Sequence, residues 1–318
     1  MSQKVAIDLG NRFVKLSDQG RVWSVESIYA DVQGCPEGPL ARTIPRAVEY
    51  VKGSCEELVG KAWIVGHGAR NYRRGIRTWT TEKHESALRL VLGSLELPRR
   101  AKTAEFELVM SLPNPQVEGI QLQKALVGEH HIIDGGETVK VIIESVKVEP
   151  EVIGAYRYGH KQGLTKPNSI TGIIDLGGGT AIATLFDAQG SQIEGARVVL
   201  RRGGIYGLAS DIAVDPRLSS QVRSTPKVEL IMDAIAEGSY AYGVQGVSFA
   251  DFFEEYCELW LKGILSEALN RWDIWLEGIG VILVAGGAAP LAADWLDENS
   301  WFKVLPDPQF AHVLGLVA

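Results

Sequence analysis

The chain has 318 residues, 46% hydrophobic and 22% charged, with a formal net charge of −7. That length holds two domains with a core each, and the acidic balance excludes broad electrostatic binding of nucleic acid by the fold as a whole. Cys35, Cys55 and Cys257 lie far apart without CxxC spacing, which excludes a disulfide frame or zinc site and reads as reduced cytosolic thiols. The N-terminus enters a strand within a few residues, so no signal peptide is expected. The longest weakly polar run, 278–293, is short, Gly-rich and interrupted by Pro290, so no membrane span is expected and the expected location is the cytoplasm.

Residues 3–29 alternate as three strands in a meander, through Phe13, Val14, Leu16, Val22, Trp23 and Val25. The first strand ends Val5-Ala6-Ile7-Asp8-Leu9-Gly10, and Asn11, Arg12 and Lys15 follow. Residues 30–75 are broken by Pro36, Pro39 and Pro45 and by several glycines. They read as a small, irregular, exposed insertion. Arg70, Arg73, Arg74 and Arg77 form a local basic cluster, as do Arg201 and Arg202. An amphipathic helix is predicted over 80–95, with Ala87, Leu88, Val91, Leu92 and Leu95 on its apolar face.

A buried strand follows at 104–112, stopped by Pro113-Asn114-Pro115, and a helix over 115–127. His130 and His131 read as strand-end residues, not metal ligands. Asp134-Gly135-Gly136 is a hairpin turn, and the strand after it alternates through Val139, Val141, Ile143 and Val146, with a shift in phase expected near its end. Glu149-Pro150-Glu151 is expected to open a helix, because Pro fits a first turn and acids favour a helix N-terminus.

The stretch Ile173-Ile174-Asp175-Leu176-Gly177-Gly178-Gly179-Thr180 then repeats the Ile-Asp-Leu-Gly of residues 7–10. An apolar strand that delivers one carboxylate and turns at once on glycine suits phosphate, because glycine lets backbone N–H groups come close. Asp175 suits a Mg²⁺ held through water. Two copies point to two similar domains, each offering such a hairpin to one ligand. Further elements are strands over 170–187 and 192–200, a helix at 205–213, a Pro/Ser/Arg-rich linker at 214–226 and a helix at 227–237. A long helix over 249–276 puts Phe252, Phe253, Tyr256, Leu259, Trp260, Ile264, Leu265 and Leu269 in the core. The strand 281–284 runs into Gly286-Gly287-Ala288, then helices are expected at 290–297 and 308–317.

The order Asp-x-Gly-x-x-x-x-Lys at 8–15, the acidic segment 149–151, Asp-x-Gly-Gly-Gly-Thr at 175–180 and the late Gly-Gly at 286–287 resembles the actin, Hsp70 and sugar-kinase superfamily. Within it the chain looks most like the bacterial ParM/StbA-type actin-like ATPases of plasmid segregation. Pro150-Glu151-Val152-Ile153-Gly154-Ala155 and the ending 307–316 are similar to that group's segments. The resemblance implies an α/β, two-domain actin-like fold of duplicated ribonuclease H-like domains with a nucleotide cleft between them. Domain I would be 1–155 with the insertion at about 30–75, domain II 156–306, and 307–318 a C-terminal helix returning to domain I.

It further implies ATP and Mg²⁺ as ligands, with Asp8 and Asp175 holding the metal mainly through water. Gly10, Asn11, Arg12 and Lys15 would serve the phosphates from one domain, and Gly177, Gly178, Gly179 and Thr180 from the other. Gly286, Gly287 and Ala288 would admit the adenosine. Glu151 would position the attacking water, with Glu149 as the alternative. Asn11 and Arg12 stand where relatives often carry Ser or Thr, and the Arg either strengthens phosphate binding or faces solvent. The implied function is an ATP hydrolase that polymerises into filaments with ATP for plasmid or DNA segregation. Its partners would be its own copies and a DNA-binding adaptor, with no direct DNA contact and no membrane. A small-molecule (sugar or acid) kinase of the same superfamily is the alternative.

Overall fold

The computed structural model describes residues 2–32, 46–72, 76–77, 83–98, 101–243, 246–296 and 300–317. Cys35, Arg73, Arg74 and residues 80–82 lie outside these. The chain divides into two units, one running to Arg157 and including the segment from His312, the other Tyr158–Ala311.

The first unit is built on a ten-stranded sheet. The meander expected at the start is present as β1 (Gln3–Leu9), β2 (Phe13–Asp18) and β3 (Arg21–Glu26). It is followed by β4 (Ile28–Val32), β5 (Ala47–Gly53), β6 (Ala62–Val65), β7 (Ile76–Arg77) and helix α1 (Lys83–Ser94). Then come β8 (Thr103–Leu112), α2 (Pro115–Leu126), β9 (Gly128–Asp134), β10 (Glu137–Pro150) and α3 (Ile153–Lys161). The spatial order is β3-β2-β1-β8-β10-β9-β5-β6-β4-β7. β1, β8 and β10 run parallel at its centre. Ala87, Leu88, Val91, Leu92 and Leu95 are buried as expected, in one cluster with Ile7, Leu108 and Val146.

Three expectations need correction. The described part of 30–75 is not an exposed, irregular insertion: β5 pairs with β9 and β6, and Tyr50 and Trp63 are fully buried. The alternation through Ala47, Val48 and Tyr50 outweighs the breakers around it. Glu149-Pro150 does not open a helix either. Both residues end β10, paired with Ser111 and Leu112, and the helix starts at Ile153. A residue before proline is pushed to extended backbone, so the dipeptide continues the strand. His130 is not a strand-end residue but stands inside β9, fully buried. The hairpin turn at Gly135-Gly136 holds φ of 60° and 86°, the left-handed values of a two-residue turn. The phase shift in β10 falls between Ile143 and Ser145.

His130 Nε2 lies 2.9 Å from the Leu126 carbonyl, which can only accept, so this nitrogen carries the proton. Nδ1 then accepts from the Tyr50 hydroxyl at 2.9 Å, and the Cys55 N–H donates to that hydroxyl at 3.1 Å. Burial pushes the imidazole below the ordinary histidine range, against the opposing Leu126 bond. The unfolded chain therefore takes up a proton first, at about pH 6.5. Stability is full above that pH and falls as the pH drops through it toward the folded value. The urea midpoint is expected to fall between about pH 7.5 and about pH 5.5, and to fall less in His130→Gln. Equal losses in both proteins would contradict this account.

The second unit contains β11 (Ile170–Leu176), β12 (Ala181–Phe186), β13 (Val198–Leu200), α4 (Ile205–Val214), α5 (Pro216–Ser219) and α6 (Val228–Glu237). A small pair, β14 (Ala241–Tyr242) and β15 (Val247–Ser248), precedes α7 (Ala250–Arg271). β16 (Ile279–Ala285), α8 (Ala293–Leu296) and β17 (Phe302–Val304) complete it, and α9 (Ala311–Leu316) follows. Its sheet order is β13-β12-β11-β16-β17. β11 is antiparallel to β12, and parallel to β16. The first unit contains the same five-strand arrangement as β3-β2-β1-β8-β10. The repeated Ile-Asp-Leu-Gly is thus the visible part of a duplicated topology.

Two further expectations fail here. Leu259 is not core: it is 62% exposed, on the side of α7 that also carries exposed Glu255 and Lys262. The stretch 214–226 is not a bare linker. Asp215 caps α5, accepting from the Arg217 N–H at 2.6 Å, the Arg217 guanidinium at 2.7 Å and the Tyr256 hydroxyl at 2.7 Å. The Arg217 hydrogen bonds come first among the causes that hold its carboxyl down at about 2. Leu218 beside it is fully buried.

In the first unit α9 lies on α3 with no room to spare. A Cβ on Gly154 would overlap the His312 carbonyl oxygen. Among the described residues, no helix is long and apolar enough to cross a membrane.

Candidate functional site

Asp8 is the last residue but one of β1 and pairs across the hairpin with Lys15. Lys15 Nζ stands 3.1 Å from Asp8 Oδ2, with both side chains mostly buried. Gly10, Asn11 and Arg12 form the turn between β1 and β2. A Cβ on Gly10 would sit 2.8 Å from the Phe13 carbonyl oxygen, so the turn has no room for a side chain there. The Arg12 guanidinium lies over the Phe13 ring, 5.4 Å from its centre.

Asp175 holds the matching place in β11. A Cβ on Gly177 would also stand 2.8 Å from a carbonyl oxygen, that of Thr180. Gly10 and Gly177 are thus equivalent in geometry as well as in sequence. Lys15 has no counterpart, since Asp175 pairs with Ile182.

Each turn is held from outside the repeat, by residues that carry no sequence signal. In the first unit the Ser27 N–H donates to the Arg12 carbonyl at 2.9 Å, and its buried hydroxyl donates to the Gly10 carbonyl. In the second unit the N-terminus of α4 serves. Ile205 and Tyr206 N–H groups donate to the carbonyls of Gly177 at 3.1 Å and Gly178 at 2.9 Å. Gly204 lies against Gly178, Gly179 and Thr180, where a Cβ would come within 2.5 Å of two of their backbone atoms. The Gly177 N–H donates to the Thr180 carbonyl at 3.0 Å. The Gly177 N–H is thus taken up inside the loop itself.

Ser27→Ala is expected to cost about 1 kcal/mol in chemical denaturation, the usual worth of one such bond. Ser27→Thr, which keeps the hydroxyl, should cost less. An alanine variant as stable as the parent would show that the hydroxyl does not hold the turn.

Gly286 follows β16 with φ of 96°. Its N–H donates to the Pro308 carbonyl at 2.8 Å. A Cβ there would overlap both the Leu176 carbonyl oxygen and Asp175 Oδ1. The glycine is what lets the 286–288 turn close over the Asp175 strand end. Ala288 fixes it further, its N–H donating to the Leu176 carbonyl at 3.0 Å. Gly287 is different, for a Cβ there would meet only Gln309 Cγ at 4.0 Å.

The two glutamates differ sharply. Glu149 is mostly buried and ion-paired with Lys147 at 2.7 Å and Arg157 at 3.3 Å. Burial works against its charge, but the hydrogen bonds from those two cations prevail and hold the carboxyl below the ordinary glutamate range. The Glu151 N–H donates to the Leu112 carbonyl at 3.0 Å. Next to it Val152, fully buried, has φ of 78°. A β-branched residue in that region is a genuine outlier, and such strain collects at functional sites.

Asp8, Gly10, Asn11, Arg12, Lys15, Glu149 and Glu151 therefore belong to the first unit. Asp175, Gly177, Gly178, Gly179, Thr180, Gly286, Gly287 and Ala288 belong to the second. Among the described residues no group of three or more His, Cys, Asp or Glu could hold a metal ion. That rules out a cage of protein ligands there. It fits Mg²⁺, which keeps most of its waters and needs one or two carboxylates.

The fold and the paired hairpins place the chain among actin-like α/β proteins. Residues 6–154 match the family described as the N-terminal domain of actin-like proteins, and the fold is actin-like over the whole chain. An archaeal actin homologue, Ta0583, superposes with a TM-score of 0.78 at 16% identity, over 99% of this chain and 97% of that one. A ParM from a 15-stranded filament of Clostridium botulinum gives 0.75 at 18% identity, over 99% and 97%. ParM of Bacillus thuringiensis with ATP gives 0.69 at 14% identity, over 99% and 97%. A search of the curated proteins returns no match.

Proposed function

We propose that the chain is an ATP hydrolase that polymerises into filaments with ATP and serves plasmid or DNA segregation in the cytoplasm. The observation that carries this is the duplicated hairpin. Asp8 and Asp175 close equivalent strands, Gly10 and Gly177 make the same close approach, and both stand in the same five-strand order. Two carboxylates, each followed by a turn of exposed or half-exposed backbone, suit a polyphosphate with its cation better than an uncharged ligand. Structural likeness to a ParM with ATP and a ParM filament supports the choice of ATP and of self-assembly. A DNA-binding adaptor would link the acidic chain to its cargo.

In this reading both hairpins serve the nucleotide. Gly10, Asn11 and Arg12 in the first, and Gly178, Gly179 and Thr180 in the second, would present N–H groups to phosphate oxygens. Lys15, already beside Asp8, brings a positive charge to them. Gly286, Gly287 and Ala288 leave space for the adenosine. Glu151 orients the attacking water, since phosphoryl transfer rests mainly on positioning and charge stabilisation. Asp8 and Asp175 would hold Mg²⁺, mainly through water, and the ion would supply charge neutralisation at the phosphates.

Phosphate release from ATP by the purified chain tests the hydrolase reading. Release that requires Mg²⁺ and stops with EDTA is expected. Release that instead requires a sugar or an organic acid as acceptor would move the assignment to a kinase.

A further inference from the structure

Strand pairing in the first unit aligns a polar row across the C-terminal ends of its central strands. Lys15 pairs with Ser24 on one side and Asp8 on the other. Ile7 pairs with Met110, so Asp8 stands beside Ser111. Ser111 in turn pairs with Glu149. Residues paired across neighbouring strands put their side chains on one face of the sheet. That face therefore reads Ser24, Lys15, Asp8, Ser111, Glu149 from strand to strand. The alternate residues Ile7, Met110 and Leu112 point the other way, into the apolar cluster.

Ser111 is the centre of the row between the two carboxylates and is 3% exposed. Its hydroxyl has no hydrogen-bond partner among the described residues. A buried hydroxyl in that condition destabilises the fold, and each such group in a native structure needs a reason. On one side of it, Glu149 is held by Lys147 and Arg157. On the other stands Asp8, one strand over at the usual spacing of about 4.8 Å.

We infer that Ser111 is a further positioning residue of the nucleotide site, its Oγ accepting a hydrogen bond from a water on the bound cation. The same water gives its second hydrogen to the Asp8 carboxylate. Asp8 and Ser111 together then fix the water's orientation, which a lone carboxylate does not. This rests on the nucleotide reading above.

Ser17 supplies a control. It too is fully buried with a hydroxyl that has no partner among the described residues. It pairs with Ala6 and Val22, so it is outside the Asp8 row. The experiment measures affinity for a fluorescent ATP analogue with Mg²⁺ and with EDTA, together with the melting temperature of the free protein. Ser111→Ala is expected to weaken binding about 5- to 10-fold with Mg²⁺, to leave binding in EDTA unchanged and not to lower the melting temperature. Ser17→Ala should change neither affinity. Ser111→Thr, which keeps the hydroxyl, should recover the Mg²⁺-dependent part.

A Ser111→Ala protein that binds with Mg²⁺ as the parent does overturns the inference and leaves the nucleotide reading standing. A Ser111→Ala protein that melts early and binds equally weakly with and without Mg²⁺ marks a structural hydroxyl and overturns it too. A parent protein that binds no nucleotide overturns both.

Discussion

Glu151→Ala is expected to lower ATP turnover by about 100-fold or more while ATP still binds, a loss typical of removing a group that handles the attacking water. Glu149 ends a strand inside the sheet and is held by Lys147 and Arg157. A carboxylate whose pKa is held down by two cations is a weaker base toward water, and its ion pairs restrict its movement. Glu151 lies past the last paired residue of β10, at the turn where Val152 takes its left-handed φ. Maintaining that conformation at a buried valine costs about 1–3 kcal/mol, which a plain strand-to-helix connection would have no reason to retain. Glu149→Ala is expected to act differently, leaving two cations without their acid and lowering stability more than turnover. Single-turnover hydrolysis and equilibrium binding, measured on both variants, separate the roles. If Glu149→Ala loses the chemistry and Glu151→Ala keeps it, the assignment is reversed.

Gly286→Ala should be strongly damaging, costing about 2–4 kcal/mol and with it most nucleotide affinity. Two effects add. The backbone there has φ of 96°, a region that L side chains rarely adopt. The new Cβ would also overlap the Leu176 carbonyl oxygen and Asp175 Oδ1, so the strand end carrying the proposed metal-binding carboxylate must move. Gly287→Ala is the informative partner. Its Cβ meets nothing closer than Gln309 Cγ at 4.0 Å, so the fold should tolerate it within about 1 kcal/mol. If the open space beside Gly287 receives the adenosine, that variant loses affinity with stability preserved. Urea denaturation with ATP titration distinguishes the two. A Gly286→Ala protein with unaltered stability would contradict the packing described at Asp175.

The repeated Ile-Asp-Leu-Gly was legible because it joins two local requirements, an apolar buried strand and a glycine turn, at a fixed spacing. Periodicity likewise placed α1, β8, α2 and the β9–β10 hairpin, each of which shows its own pattern of apolar residues. What was hidden depends on contacts distant in sequence. Ser27 closes the first turn from 15 to 17 residues away, and a lone serine between two strands carries no periodic signal. Ser111 gains its interest only from register with Asp8 and Glu149. The Glu149-Pro150 error has a specific cause. Proline is acceptable both in a helix's first turn and at a strand's end, and only the pairing with Leu112 decides. The segment around Tyr50 and Trp63 is hard to read because its glycines and prolines mask a short alternation. Its burial comes from β9, some 80 residues on.

The central claim is that ATP drives the assembly of this chain. Sedimentation of the purified protein with ATP, with ADP and without nucleotide, each with Mg²⁺ and checked by electron microscopy of the pellet, tests it most directly. Filaments that appear with ATP, and disassemble as phosphate is released, are the predicted result. A protein that hydrolyses ATP yet stays in the supernatant at every concentration in all three conditions would contradict it.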